Sequence, residues 1–201
     1  MIPRSEPLQS FVDAAGLAFE ELAQNPQSQR TVRQVFSALK QPSTQRTATG
    51  SRLPVCSCLH SALAVEMPHP SLRLLLGQFA ALEPSLQWTR RPTFDAATAS
   101  ENFVDGHANT MIIGPGGIED RRDVWLGVSL LAPEVRYPDH NHAPEEVYLV
   151  LSQGEFRQEE GAWFTPGVGG SFYNRPLIKH AMRSLQTPLL AFWVLQTAWP
   201  E

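Results

Sequence analysis

Hydrophobic and polar positions follow two different periods along this chain, and the change falls near Trp88. From Ser10 to Gln41 apolar residues recur every three or four positions, as Phe11, Ala15, Phe19 and Leu22, then Val32, Val35, Phe36 and Leu39. That spacing lines one face of a helix and predicts two amphipathic helices. LPVCSCLHSALAVEM and SLRLLLGQFAALE carry the helical pattern further, each closed by proline-containing sequence. The polar, unpatterned stretch QPSTQRTATGSR, Gln41 to Arg52, reads as a loop, with a lid over an active site as one role for it. Beyond Trp88 the period becomes two. NTMIIG, VWLGVSLLA, EVYLVLS, GEFRQE, AWFTP and PLLAFWVLQT are short, apolar or aromatic, and parted by Gly, Pro and Asn. Such strands without intervening helices predict an antiparallel sandwich or barrel. The expected architecture is mainly β: an N-terminal helical region over 1–88, with its loop near 41–52, laid on a β-barrel over 89–201.

Composition narrows the partners. The net charge of -4 over 201 residues argues against nucleic acid. No apolar run approaches the roughly 20 residues that cross a bilayer, and MIPRSEPLQS lacks the apolar core of a secretory signal, so the expected location is cytoplasmic. The two cysteines stand as Cys56-Ser57-Cys58, too close on one element to bridge each other. With His60 they suggest a second metal site only weakly, and packing is the preferred reading. His69 and His107 have no partner visible in the sequence, and the glycines from Gly167 to Gly170 read as a turn and not a phosphate loop.

The stretch DHNHAPEEVY, Asp139 to Tyr148, is different in kind. In an extended chain alternate side chains share a face, so His140 and His142 converge, and Glu146 and Tyr148 do so on the next segment. Ala143-Pro144 bends the chain between them. Two imidazoles, a carboxylate and a phenol facing one interior form a nitrogen and oxygen ligand set with an acid/base group beside it. His180, in PLIKHAMRS, is a natural fourth ligand if the strands fold back on one another. Asp139 and Glu145 fall out of register and read as surface or supporting groups.

His140-X-His142-X3-Glu146, then Gly154, Gly161, Pro166-Gly167 and His180, resemble the two motifs of the cupin superfamily. One extra residue precedes the first motif's closing glycine, the span from Pro166-Gly167 to His180 is long, and Ser184 stands where many cupins have asparagine. HXHX3EXY joined to His180 and to a helical N-terminal region resembles the bacterial cupin-type lyases of dimethylsulfoniopropionate (DMSP), the DddQ type in particular. The resemblance implies that His140, His142, Glu146 and His180 hold one divalent metal ion and that Tyr148 is the general base. Tyr137 matches a tyrosine that the family places in the active site. The implied reaction converts DMSP to dimethyl sulfide and acrylate.

The chemistry supports that implication. DMSP has an acidic proton beside its carboxylate and a sulfonium one carbon further on, so elimination needs a base at the α-carbon and a partner for charge building on the carboxylate. A divalent metal supplies the partner and favours a nearby phenolate. The sulfonium leaves as a neutral sulfide, and aromatic walls suit its charge by roughly 0.5 to 2 kcal/mol. Competing readings are an iron-dependent cupin dioxygenase, which would not need Tyr148 as a base, and a non-catalytic small-ligand-binding cupin. The sensors of that last class carry a basic DNA-reading helix, whereas these N-terminal helices are rich in Glu, Gln and Ala. Histidine and carboxylate donors accept zinc, iron, manganese, cobalt or nickel alike. Pairing of barrel edges in a homodimer is left open by the sequence.

Overall fold

The computed structural model describes residues 3–47 and 49–197. Helix α1 runs over Glu6–Leu22 and α2 over Pro26–Ala38, as the apolar spacing predicts. Asn25 caps α2 by accepting a bond from the Gln27 amide at 2.8 Å, and Pro26 supplies a first-turn residue that needs no N–H partner. A two-residue strand, β1 at Thr44–Gln45, follows. LPVCSCLHSALAVEM yields less helix than its pattern suggests: a 3₁₀ turn at Pro54–Cys58 runs into a short α3 at Leu59–Leu63. Helix α4 spans Pro70–Leu82. Phe11, Phe19, Val35, Leu72 and Phe79 are all fully buried, so these helices share one core.

Trp88–Thr89 forms β2, and a single turn of helix, α5 at Phe103–Gly106, leads into β3 at His107–Ile113. The remaining strands are β4 (Glu119–Asp120), β5 (Val124–Leu131), β6 (Arg136–His140), β7 (Glu145–Val150), β8 (Glu155–Gln158), β9 (Ser171–Asn174), β10 (His180–Arg183) and β11 (Leu189–Gln196). They build two sheets. The larger has the order β1-β4-β3-β5-β11-β7-β9, with β2 beside β3, and the smaller has the order β6-β10-β8. All pairings are antiparallel except the short β3–β4 contact.

Alternation along the large sheet divides its residues cleanly. Leu126, Val128 and Leu130 of β5, Val147 and Leu149 of β7, and Phe192 and Val194 of β11 join the core under the helices. Their neighbours Leu131, Tyr148, Val150 and Ala191 join a second core with Tyr137, Phe156 and Met182 of the small sheet. The outer face of the large sheet is therefore covered by the helical layer, and its inner face looks across at the small sheet. Phe192 meets Phe11 and Phe79 at ring separations of 6.0 and 5.1 Å and ties helices to sheet. This is a mainly β, cupin-type barrel architecture with an N-terminal helical layer.

Two segments differ from their sequence patterns. AWFTP is no strand: Phe164 alone bridges to Phe156. SFYN, directly after the glycine turn and not among the strands that the pattern predicts, is strand β9 against β7. Pro166 and the close-packed glycines end regular pairing before it, and its partner strand supplies the ladder that no local signal announces.

Candidate active site

The two sheets enclose a cavity of about 270 Å³ whose wall contains Tyr137, His140, His142, Glu146 and Tyr148. His140 is the last residue of β6 and lies opposite His180 of β10. Their ring centres are 4.1 Å apart. His142 is not on a strand: it lies in the turn between β6 and β7, with its ring 5.1 Å from His180 and 6.3 Å from His140. The turn, held by a bond from the Leu177 amide to the His142 carbonyl at 2.9 Å, does what strand alternation was expected to do. Glu146 and Tyr148 share the inner face of β7.

Each imidazole is oriented in the same way. Nδ1 of His140, His142 and His180 lies 2.9, 2.9 and 3.0 Å from the carbonyls of Pro138, Pro144 and Ile178. A carbonyl only accepts, so each Nδ1 carries a proton there and each Nε2 is the atom left for the site. Nε2 of His142 and of His180 stand 3.4 and 3.3 Å from Oε2 of Glu146. One donor atom from each of His142, Glu146 and His180 lies within 4.8 Å of the others, the spacing of ligands around an ion. His140 stands beside this trio, against His180. Nε2 of His180 is buried and makes no hydrogen bond, which is costly unless something else occupies its lone pair. The donor set fits a divalent cation.

The charges of these groups are coupled. Burial alone raises the Glu146 carboxyl pKa, but contact with His142 and His180 outweighs it and holds the group well below the usual carboxylate range. For His142 burial lowers the pKa and Glu146 more than restores it. His140 is held well below its usual range, first by burial and then by His180 and Arg91, so it is neutral. Asn174 of β9 donates to Glu146 Oε2 at 2.9 Å, and Gln158 donates to Asn174 Oδ1 at 2.7 Å. Asn174 was not visible in the sequence, because nothing in the local pattern announces β9.

Tyr148 is buried, stacked on Phe172 at 5.1 Å, and its ring is 6.4 Å from that of His180. Burial, followed by the charge of Glu146, pushes its hydroxyl pKa far above the ordinary tyrosine value. Tyr137 packs its ring 5.0 Å from His140 and accepts a bond from Asn109 Nδ2 at 3.1 Å. Arg91 leans over the same ring, 5.8 Å from its centre. His107 proves to have partners: its Nδ1 bonds the Phe103 carbonyl at 2.5 Å, and its Nε2 accepts the Arg91 amide at 2.8 Å. It thereby pins the segment with Arg90, Arg91 and Pro92 to the cavity wall.

Of the two readings of Glu145, surface or supporting group, the structure favours the second. Glu145 is fully buried on the outer face of β7 and accepts from Thr31 at 3.0 Å, Arg30 at 3.0 Å and Tyr173 at 2.6 Å. The helical layer covers that face, so an outward carboxylate meets α2 instead of water. Asp139 is paired with Arg136 and Arg157. The stretch 41–52 is tied down at the sheet edge: Thr44 and Gln45 pair with Asp120 and Glu119, and Ser51 bonds the Leu86 carbonyl. None of its described residues lines the cavity. Cys56 and Cys58 are free thiols, and no second metal-ligating group forms among the described residues.

A cupin-type barrel whose inner wall gathers three imidazoles, a carboxylate and two phenols defines a class of small-molecule site suited to a metal ion. Comparison with known proteins specifies it further. The family model for dimethylsulfoniopropionate lyase matches residues 27–191. This chain belongs to the DMSP lyase family, whose members are carbon–sulfur lyases. It is 26% identical over 157 residues to dimethylsulfoniopropionate lyase DddQ of Ruegeria pomeroyi, covering 78% of this chain and 76% of that protein. The crystal structure of DMSP lyase DddQ from R. pomeroyi superposes with a TM-score of 0.70 at 20% identity, covering 98% of this chain and 95% of that one. A structure from a study of the DMSP lyases RdDddP and RnDddQII gives the same score at 22% identity over 96% and 93% of the two chains. No described helix is long and apolar enough to cross a membrane.

Proposed function

We propose that this chain cleaves DMSP to dimethyl sulfide and acrylate by β-elimination, that His140, His142, Glu146 and His180 hold a divalent metal ion, and that Tyr148 is the base. The observation that carries the reading is the common orientation of the three histidines, each anchored through Nδ1, with His180 Nε2 left buried and unsatisfied. A bound divalent cation supplies Lewis acidity toward the substrate carboxylate and favours the phenolate form of Tyr148. Tyr148 as phenolate takes the proton α to the carboxylate. The released electron pair forms the carbon–carbon double bond, the carbon–sulfur bond breaks toward sulfur, and dimethyl sulfide leaves neutral. No strong acid is needed at the leaving group. Trp125 and Trp193 in the cavity wall offer ring faces to the sulfonium.

Headspace gas chromatography on metal-loaded protein with DMSP tests this reading. Release of dimethyl sulfide by the wild type, lost by at least about a hundredfold in Tyr148→Phe at equal metal content, is the expected outcome. Equal rates in the two proteins would remove Tyr148 as the base. No release with zinc, iron, manganese, cobalt or nickel would remove the lyase assignment and direct attention to oxygen uptake.

A further inference from the structure

A chain of hydrogen bonds crosses the inner face of the large sheet and ends on Tyr137. The indole Nε1 of Trp193 donates to Ser129 Oγ at 3.1 Å, Ser129 Oγ donates to Asn109 Oδ1 at 2.7 Å, and Asn109 Nδ2 donates to the Tyr137 oxygen at 3.1 Å. Asn109 lies directly opposite Ser129 in the β3–β5 ladder, and Trp193 lies opposite Gly127, two residues along β5. A Cβ on Gly127 would collide with the Trp193 ring, so glycine there gives the indole its place.

The hydrogen bonds of the chain run in one direction, from Trp193 to Tyr137. An indole N–H can only donate. Ser129 accepts from Trp193 and gives its single proton to Asn109 Oδ1, and the amide nitrogen is then turned toward Tyr137. An amide nitrogen also only donates, and so does Arg91, whose Nη1 lies 3.5 Å from the same phenol oxygen. The Tyr137 hydroxyl cannot return its proton to either neighbour. Among the described residues no group accepts a bond from it, and Tyr137 borders the cavity.

We propose that Asn109, held by Ser129 and Trp193, is a positioning residue that turns the Tyr137 hydroxyl into a hydrogen-bond donor aimed into the cavity, toward an oxygen of the substrate carboxylate. The identity of that carboxylate rests on the DMSP lyase reading; the direction of the donor does not. Tyr137 then holds the substrate by its acid end while its own proton stays in place. Tyr148 remains the base.

The test is a double-mutant cycle with Asn109→Leu and Tyr137→Phe on the metal-loaded protein, reading both DMSP turnover and acrylate binding by calorimetry. Asn109→Leu should weaken each by about tenfold. In the Tyr137→Phe protein the same substitution should change neither by more than about twofold, because the group it positions is already gone. Ser129→Ala, which frees the amide to flip without altering Asn109, should give a smaller loss of about threefold. Asn109→Asp keeps the shape but offers an acceptor, which draws the phenol proton back out of the cavity. Its activity relative to wild type should therefore rise as pH falls and the new carboxyl gains a proton. Metal content and melting temperature confirm that each variant is folded and loaded. Additive losses in the cycle, or an Asn109→Asp ratio that is constant with pH, would overturn the proposal. Should the wild type release no dimethyl sulfide, the lyase reading falls alone, since acrylate binding still reads the relay.

Discussion

His140 and His180 face each other across the β6–β10 ladder with their ring centres 4.1 Å apart, closer than either stands to His142. The two imidazoles, each held through Nδ1, are presented to the same site. Glu146, kept ionised by contact with His142 and His180, brings the negative charge and leaves room for a cation.

Removal of the metal should therefore cost stability as well as activity. Binding to the folded state alone stabilises it by about 2.7 kcal/mol at a hundred times the dissociation constant. A chelator should lower the melting temperature of the wild type and leave His180→Ala almost unchanged. Equal shifts in both proteins would mean that this histidine is not a ligand.

Glu145 should matter without touching the cavity. Its removal takes the acceptor from the Tyr173 hydroxyl, whose pKa is pushed up to about 12 by burial and then by Glu145, and leaves Thr31 only the Gln27 carbonyl. Glu145→Ala should destabilise by about 2 to 3 kcal/mol in urea unfolding. Because Glu146 is the next residue of β7, metal affinity should weaken by a few fold. Unaltered stability would show that α2 does not need this anchor.

His107 predicts a pH dependence. Burial lowers its pKa in the fold, against a smaller upward pull from the Phe103 carbonyl, while the unfolded chain keeps a value near 6.5. The unfolded state thus binds the extra proton, and stability is full above about pH 6.5 and falls as pH drops toward the lower folded value. In His107→Gln the slope of unfolding free energy as pH falls below about 6.5 should be shallower by up to one proton. Parallel slopes would assign the acid sensitivity elsewhere.

Loosening the stretch 41–52 should leave catalysis alone. Ser43 donates to the Asp120 carbonyl and Arg46 pairs with Asp120, both on the far edge of the large sheet. Ser43→Ala with Arg46→Ala should cost about 1 kcal/mol or less and keep turnover within about twofold. A tenfold drop in turnover at full metal content would restore a lid role to this segment.

Much of this molecule is legible in its sequence. Periodicity settles the helices α1, α2 and α4 and the long strands β5, β7 and β11, because each has one buried face and burial dictates the spacing of its apolar residues. The ligand candidates are legible too, since His140, His142, Glu146 and Tyr148 lie within ten residues of chain. Ser129 left a fainter sign as a lone hydroxyl in the apolar strand β5, but nothing in the chain says that it meets Asn109. Tertiary structure alone decided that SFYN pairs with β7, that His142 reaches the site from a turn, and that Glu145 is buried under α2. It also decided that Arg91 and Asn109 reach the cavity, and that Asn174 reaches Glu146, from segments distant in sequence. Local pattern reports which face of an element is buried; what lies against that face depends on strand order and register, which arise from pairing between distant segments.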